Sequence, residues 1–122
     1  MLFIESIVKN IDNSGILSTK IIHVYKNNKK TIPAKVKDLV LIASQKADYR
    51  KLKKKKITKA IIAKTIKNIK RKNGHYLHFK QPGVIVLNEQ KMFKGTKIKG
   101  PIAAELRFQE IIEIVQTAKA MI

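Results

Sequence analysis

Apolar residues at positions 2, 3, 4, 7, 8 and 11 open the chain, a spacing that fits helix and strand alike. The turn-forming run Asp12-Asn13-Ser14-Gly15 bounds that segment either way. Leu17 to Tyr25 is rich in Ile, Val and Thr and predicts a strand. A lysine-bearing loop containing Pro33 separates it from Val36 to Ala43, a nearly continuous apolar run of strand length. Residues 44 to 56 are polar and basic and predict a projecting loop, after which Ile57 to Ile66 returns to strand composition. Asn73-Gly74 predicts a type I′ turn, pairing Lys67 to Lys72 with His75 to Phe79. A short buried strand follows in "PGVIVLN", residues 82 to 88, and "KGTKIKGP", residues 94 to 101, predicts a glycine-rich loop.

After Gly100 the period lengthens. Pro101 suits a helix start, and Ile102, Leu106, Ile111, Ile112, Ile114 and Val115 predict one or two short helices. Strands first and helices last argue for a mainly β fold, a small closed barrel with a hairpin extension and short C-terminal α-helices. All 122 residues are expected to form one domain, with 1–100 as barrel and basic loops and 101–122 as the helical part. In the strand from Ile57, Ile61 and Ala63 are expected to face the barrel core, with Lys59 kept out of it.

Charge sharpens this picture. The chain has 27 Lys+Arg against 8 Asp+Glu, a net +19. Residues 20 to 80 hold 20 basic and 2 acidic residues, whereas residues 101 to 122 hold 2 and 3. Self-repulsion on that scale favours a polyanionic partner. Nucleic acid and an anionic membrane surface are the rivals. A membrane surface calls for a basic amphipathic helix, but the basic region reads as strand and loop, so RNA is the expected partner and membrane insertion is not. Lys53, Lys54, Lys55, Lys56, Lys70, Arg71 and Lys72 are the candidate RNA-binding residues, since neutralising phosphates releases counterions without sequence readout. Tyr25, Tyr49, Tyr76 and Phe79 are candidates for stacking on bases, with core packing as the plainer role.

No enzyme emerges. Cysteine is absent, which removes disulfides and thiolate metal sites. His75 and His78, three apart on a predicted strand, are expected on opposite faces, where they cannot share a metal. "KGTKIKG" lacks the glycine spacing and Gly-Lys-Thr order of a phosphate loop. No cofactor, metal or catalytic residue is expected. The carboxylates Glu105, Glu110 and Glu113 read most simply as a solvated helix face.

"DNSG" after the first segment, "KAIIAKTIKNIKRKNGHYLHF" and "GTKIKGPIAAELR" resemble the universal large-subunit ribosomal protein of the L-fourteen family, in register over the whole chain. The resemblance implies a five-stranded β-barrel with a hairpin and C-terminal helices. It implies binding to large-subunit rRNA, contacts with neighbouring ribosomal proteins, and a place at the interface with small-subunit rRNA. It also implies that Thr96, Lys97 and the segment around Glu113 face a protein or subunit partner, among them a ribosomal silencing factor. The family has arginine where Lys64, Lys97 and Ala104 stand and an aromatic residue at Lys99. Only Arg50, Arg71 and Arg107 are arginines and 20 residues are isoleucine, a bias toward A/T-rich codons. With no presequence expected before the family's own start, the reading is an organelle-encoded, mitochondrial protein; a plastid or an A/T-rich bacterial cytoplasm is the alternative. A non-ribosomal RNA-binding barrel such as an assembly factor is the competing function.

Overall fold

Strands with alternating apolar residues close into a five-stranded barrel in the computed structural model, which describes residues 2–25, 33–47, 57–88, 97–108 and 118–122. β1 (Ile7–Asn10), β2 (Ile16–Val24), β3 (Leu39–Ala47) and β4 (Ile57–Lys64) are successive antiparallel neighbours. The chain then leaves the barrel for a hairpin of β5 (Ile69–Lys70) and β6 (Tyr76–Leu77). It returns as β7 (Gly83–Val86), antiparallel to β4 and parallel to β1, and this last pairing closes the barrel. Outside it, β8 (Ile98–Ile102) and β9 (Ala118–Met121) form a two-stranded parallel sheet, with a 3₁₀ turn at Ala104–Phe108 between them.

Two apolar clusters follow from the two faces of the barrel wall. The interior holds Val8, Ile16, Ile21, Val40, Ile42, Ala60, Ile62, Val84 and Val86, closed at one side by Leu2 and Ala34. Outside, Ile61, Ala63, Ile85 and Leu87 pack with Ile11 against Ile98, Ile102 and Leu106. β7 therefore has all four residues buried, because the barrel covers one face and the C-terminal segment the other.

This second cluster reverses the expected side of β4. Ala60 and Ile62 face the interior, and Ile61 and Ala63 face out. A period of two puts residues 59, 61 and 63 on one face, so a face that admits Lys59 is the outer one. That face changes character along the strand. Lys59 is half-buried, its Nζ 5.4 Å from the Tyr25 ring centroid, whereas Ile61 and Ala63 are buried under the C-terminal segment.

Three local expectations are also corrected. β3 extends through Ser44, Gln45, Lys46 and Ala47, where a loop is predicted, because β2 is long enough to pair them: Thr19 with Ser44, Ser18 with Lys46, Ile16 with Ala47. At the hairpin, the Gly74 N–H donates to the Arg71 carbonyl (3.1 Å) and the Arg71 N–H to His75 (2.9 Å). Gly74 has φ +84°, while Asn73 is not in the left-handed region. This is a three-residue loop, a type I turn plus a left-handed glycine, rather than the type I′ turn. Asn73 caps it instead, its Oδ1 accepting from the His75 N–H at 3.1 Å.

Pro101 lies in β8 and does not start a helix. The described C-terminal residues form the 3₁₀ turn and then β9, with no α-helix among them; residues 109–117, including Ile111, Ile112, Glu113, Ile114 and Val115, lie outside the described residues. The strand register of β8 follows from its partners: the Lys99 N–H donates to the Ile11 carbonyl (2.7 Å), and Ile122 exchanges bonds with Ile102 and Ala104 (both 2.9 Å).

Candidate nucleic-acid interface

The hairpin presents cations because it leaves the barrel with too few apolar residues to bury. Ile69 pairs with Leu77 and Lys70 with Tyr76, and on both sides of the turn Lys70, Lys72, Asn73, His75 and Tyr76 are exposed. Arg71 is different. Its Nε donates to Glu105 Oε1 (3.1 Å), and one Nη donates to Oε2 (3.4 Å) and to the main-chain oxygen of Ile122. The forked geometry joins the hairpin to the 3₁₀ turn and the chain end, and it gives Glu105 a partner within the molecule. Of the expected RNA-binding residues, Lys70, Arg71 and Lys72 are thus brought together at one tip. Lys53, Lys54, Lys55 and Lys56 lie outside the described residues.

Beside the hairpin runs a cleft of about 310 Å³. It is lined by the segment Ala34–Lys37, by Thr65 and Lys67–Lys70, and by Glu105. The first segment is shaped by an unusual backbone: Lys37 has φ +80°, and its N–H donates to the Ile62 carbonyl at 3.0 Å. Asp38 Oδ2 accepts from the Lys35 N–H (2.7 Å) and its carbonyl from the Ile62 N–H (3.2 Å), which fixes the segment to β4. Lys35, Lys37, Lys67 and Lys70 make the cleft strongly cationic, a form suited to an extended phosphate chain. Neither Lys35, in the predicted loop, nor Lys37, in the predicted strand run from Val36, stands out in the sequence as a phosphate contact; the fold places both along the cleft with Lys67 and Lys70.

The aromatic candidates separate. Tyr76 is 61% exposed on the hairpin and Tyr25 is 43% exposed on the outer barrel wall, where its ring meets His23 edge-on with centroids 4.9 Å apart. Phe79 is buried and is no stacking platform; the Lys64 Nζ lies 5.8 Å from its centroid. Tyr49 lies outside the described residues. His75 sits in the turn and His78 beyond β6, so the predicted strand bearing both does not form; among the described residues no group of His, Asp and Glu is placed to hold a metal ion.

Lys97 is exposed just before β8, and its N–H donates to Asn13 Oδ1 at 3.2 Å. The "DNSG" turn therefore positions this residue directly. The turn itself is fixed by a buried carboxylate. Asp12 Oδ1 accepts from Asn10 Nδ2 (2.7 Å), the Ser14 N–H (3.1 Å) and Ser14 Oγ (2.6 Å), while Oδ2 accepts from the Val86 N–H at 2.9 Å. Asn10 Nδ2 also reaches the Ile16 carbonyl (2.8 Å), which leaves Asn10 Oδ1 buried without a partner. Thr96 and Glu113 lie outside the described residues.

A closed barrel, a cationic hairpin and cleft, and a "DNSG" turn buttressing the "KIKGPI" strand are thus features of one surface-rich small fold. The model of the family Ribosomal protein L14p/L23e matches residues 1–122, and the chain belongs to that family of structural, non-enzymatic proteins of the large ribosomal subunit.

Proposed function

We propose that the chain, as a single domain, binds large-subunit rRNA through its cationic face and contributes its β8 end to the interface between subunits. The observation that carries this reading is the cleft between Ala34–Lys37 and Thr65–Lys70, where four lysines line a channel with one carboxylate, itself held by Arg71. Charge gathered in that way destabilises the free protein and is relieved by phosphate. The lysine run Lys53, Lys54, Lys55 and Lys56 supplies further phosphate contacts in this reading, with Lys70 and Lys72 at the hairpin. Arg71 joins them through the guanidinium donors that Glu105 and Ile122 leave unused.

Binding that is mostly electrostatic has a measurable slope. Each phosphate contact contributes about −0.9 to log affinity against log salt on duplex DNA, and RNA is of similar order. Replacing Lys53 to Lys56 by alanine is expected to flatten the slope for an rRNA fragment by several units of that size, and Lys70→Ala with Lys72→Ala by about two. Barrel stability should not fall. A slope that stays where it was removes these residues from the interface.

The β8 end serves the second role. Lys97, placed by Asn13, stands with Thr96 and the segment around Glu113 as the docking surface for a neighbouring ribosomal protein, small-subunit rRNA or a silencing factor. Lys97→Glu is expected to weaken subunit joining or factor docking while incorporation into large subunits continues. Mutant large subunits that join and dock normally would remove this surface from the reading. The lysine and isoleucine bias supports a mitochondrial ribosome as the site of action. Co-sedimentation separates this function from an assembly factor: a ribosomal constituent stays in stoichiometric amount on mature large subunits through moderate salt, and a factor appears on precursors alone.

A further inference from the structure

Lys64 has a setting unlike that of the other described lysines. It ends β4 beyond a register break, where Ile62 pairs with Val84 and Lys64 with Gly83, leaving Ala63 as the extra residue of a bulge. Gly83 in turn pairs with Lys9 on β1. Partners across a sheet share a face, so Lys9 and Lys64 stand on the same outer row with a strand between them that carries no side chain at that position. The bulge re-aims the lysine, as bulges beside binding sites do.

The glycines shape the floor. A Cβ at Gly83 would come within 2.8 Å of Ile11 Cγ2 and 3.6 Å of Lys64 Cγ and Cδ, so the lysine stem lies across this residue. A Cβ at Gly100 would lie 3.4 Å from Lys64 Nζ, and Gly100 has φ +75°, which strains any other residue. The ammonium is thereby delivered to the seam between the barrel and β8, with the Phe79 ring on one side. Burial, and after it the charge of Lys9, lowers the Lys64 pKa from its ordinary value.

Nothing among the described residues compensates these two charges. Neither ammonium has a carboxylate at ion-pair distance. Asp12, in the turn after β1, has both oxygens engaged by Asn10, Ser14 and Val86. The other described charges on β8 and before it, Lys99 and Lys97, are cations as well. The half-buried Lys64 charge, with the Lys9 cation acting on it, is costly in the free protein, and a shared anion offsets the cost.

We propose that Lys9 and Lys64, above Gly83 and Gly100, form a seat for one phosphate group, filled by a phosphodiester of the rRNA. The proposal rests on the rRNA-binding reading and adds a site apart from the hairpin and the cleft. The seat brings a half-buried cation from β4 and an exposed one from β1 onto one phosphate.

The test uses the full chain and the variants Lys64→Met and Lys9→Met, which keep the apolar stem and remove the charge. Thermal melts are recorded in inorganic phosphate and in chloride at matched ionic strength. In chloride, Lys64→Met is expected to melt above the wild type, because a desolvated charge is gone. In phosphate, the wild type should gain more than either variant; the general salting effect of phosphate is common to all three and cancels. Equal gains in all three proteins overturn the seat. A second arm measures the salt slope for an rRNA fragment, which each variant should reduce by about 0.9. A phosphate-specific gain with an unchanged rRNA slope overturns the rRNA assignment and leaves a small phosphate ligand. A wild type that shows the phosphate gain and does not bind rRNA at all counts against the ribosomal reading instead.

Discussion

Asp12→Ala is expected to destabilise the protein by on the order of 3–5 kcal/mol, since each buried donor left without its acceptor costs about 1–3 kcal/mol. The carboxylate collects four donors from two places: Asn10 at the end of β1 with Ser14 in the turn that follows, and the Val86 N–H on β7. Those are the two strands whose parallel pairing closes the barrel. Removing the side chain strands the Val86 N–H in a fully buried position and releases the turn that holds Lys97. Asp12→Asn keeps one oxygen acceptor and is expected to lie between the two. Urea unfolding followed by circular dichroism measures the difference. A loss below about 1 kcal/mol, the size of an ordinary hydrogen bond, would mean that water substitutes for the carboxylate at the barrel seam.

The second large effect distinguishes the two cores. Ile62→Ala should cost about 2–5 kcal/mol, the range for truncating a buried isoleucine, because Ile62 is 0% exposed inside the barrel among Val40, Val84 and Val86. Ile61 is 6% exposed, almost as deeply buried, yet its contacts are with Ile98, Ile102 and Leu106 outside. Ile61→Ala should therefore release the C-terminal segment before it harms the barrel. Amide hydrogen exchange reads the distinction. Ile62→Ala is expected to lower protection in every strand of the barrel, and Ile61→Ala chiefly in β8 and the Ala104–Phe108 turn. Loss of protection in β1 to β3 as large as in β8 after Ile61→Ala would show that the two clusters are one cooperative unit.

The barrel could be read from the sequence because β-branched runs bounded by turn residues need no tertiary knowledge to be recognised. Four of its five strands lie within predicted strand segments or extend them, and "DNSG" does bound β1. The facing of β4 could not be read so simply. Ala60 to Ala63 is apolar throughout, so alternation is silent there, and only the C-terminal cover explains why the outward residues are also buried. β8 was missed for a related reason. Glycine, proline and lysine mark "KIKGP" as a loop, and its strand geometry comes from β9 and from the Ile11 carbonyl rather than from propensity. At the candidate interface the hairpin lysines announced themselves as a charge run. Lys9 and Lys64 did not, since neither has a charged residue beside it in sequence and the two meet only across β7.

Closure by a parallel pair between the first and the seventh strand has a consequence for how the protein is made. Translation supplies β1 early, but its parallel partner exists only once Gly83–Val86 has been synthesised. Until then β1 to β4 form an open meander with two raw edges, and Ile61, Ala63 and the neighbouring lysines have neither cover nor counterion. The residues that cover the outer cluster, Ile98, Ile102 and Leu106, emerge later still. Long-range pairings of this kind fold slowly and leave edges that invite aggregation. For this chain the lysines then serve as protection during synthesis: nascent copies repel one another through the same charges that later meet phosphate.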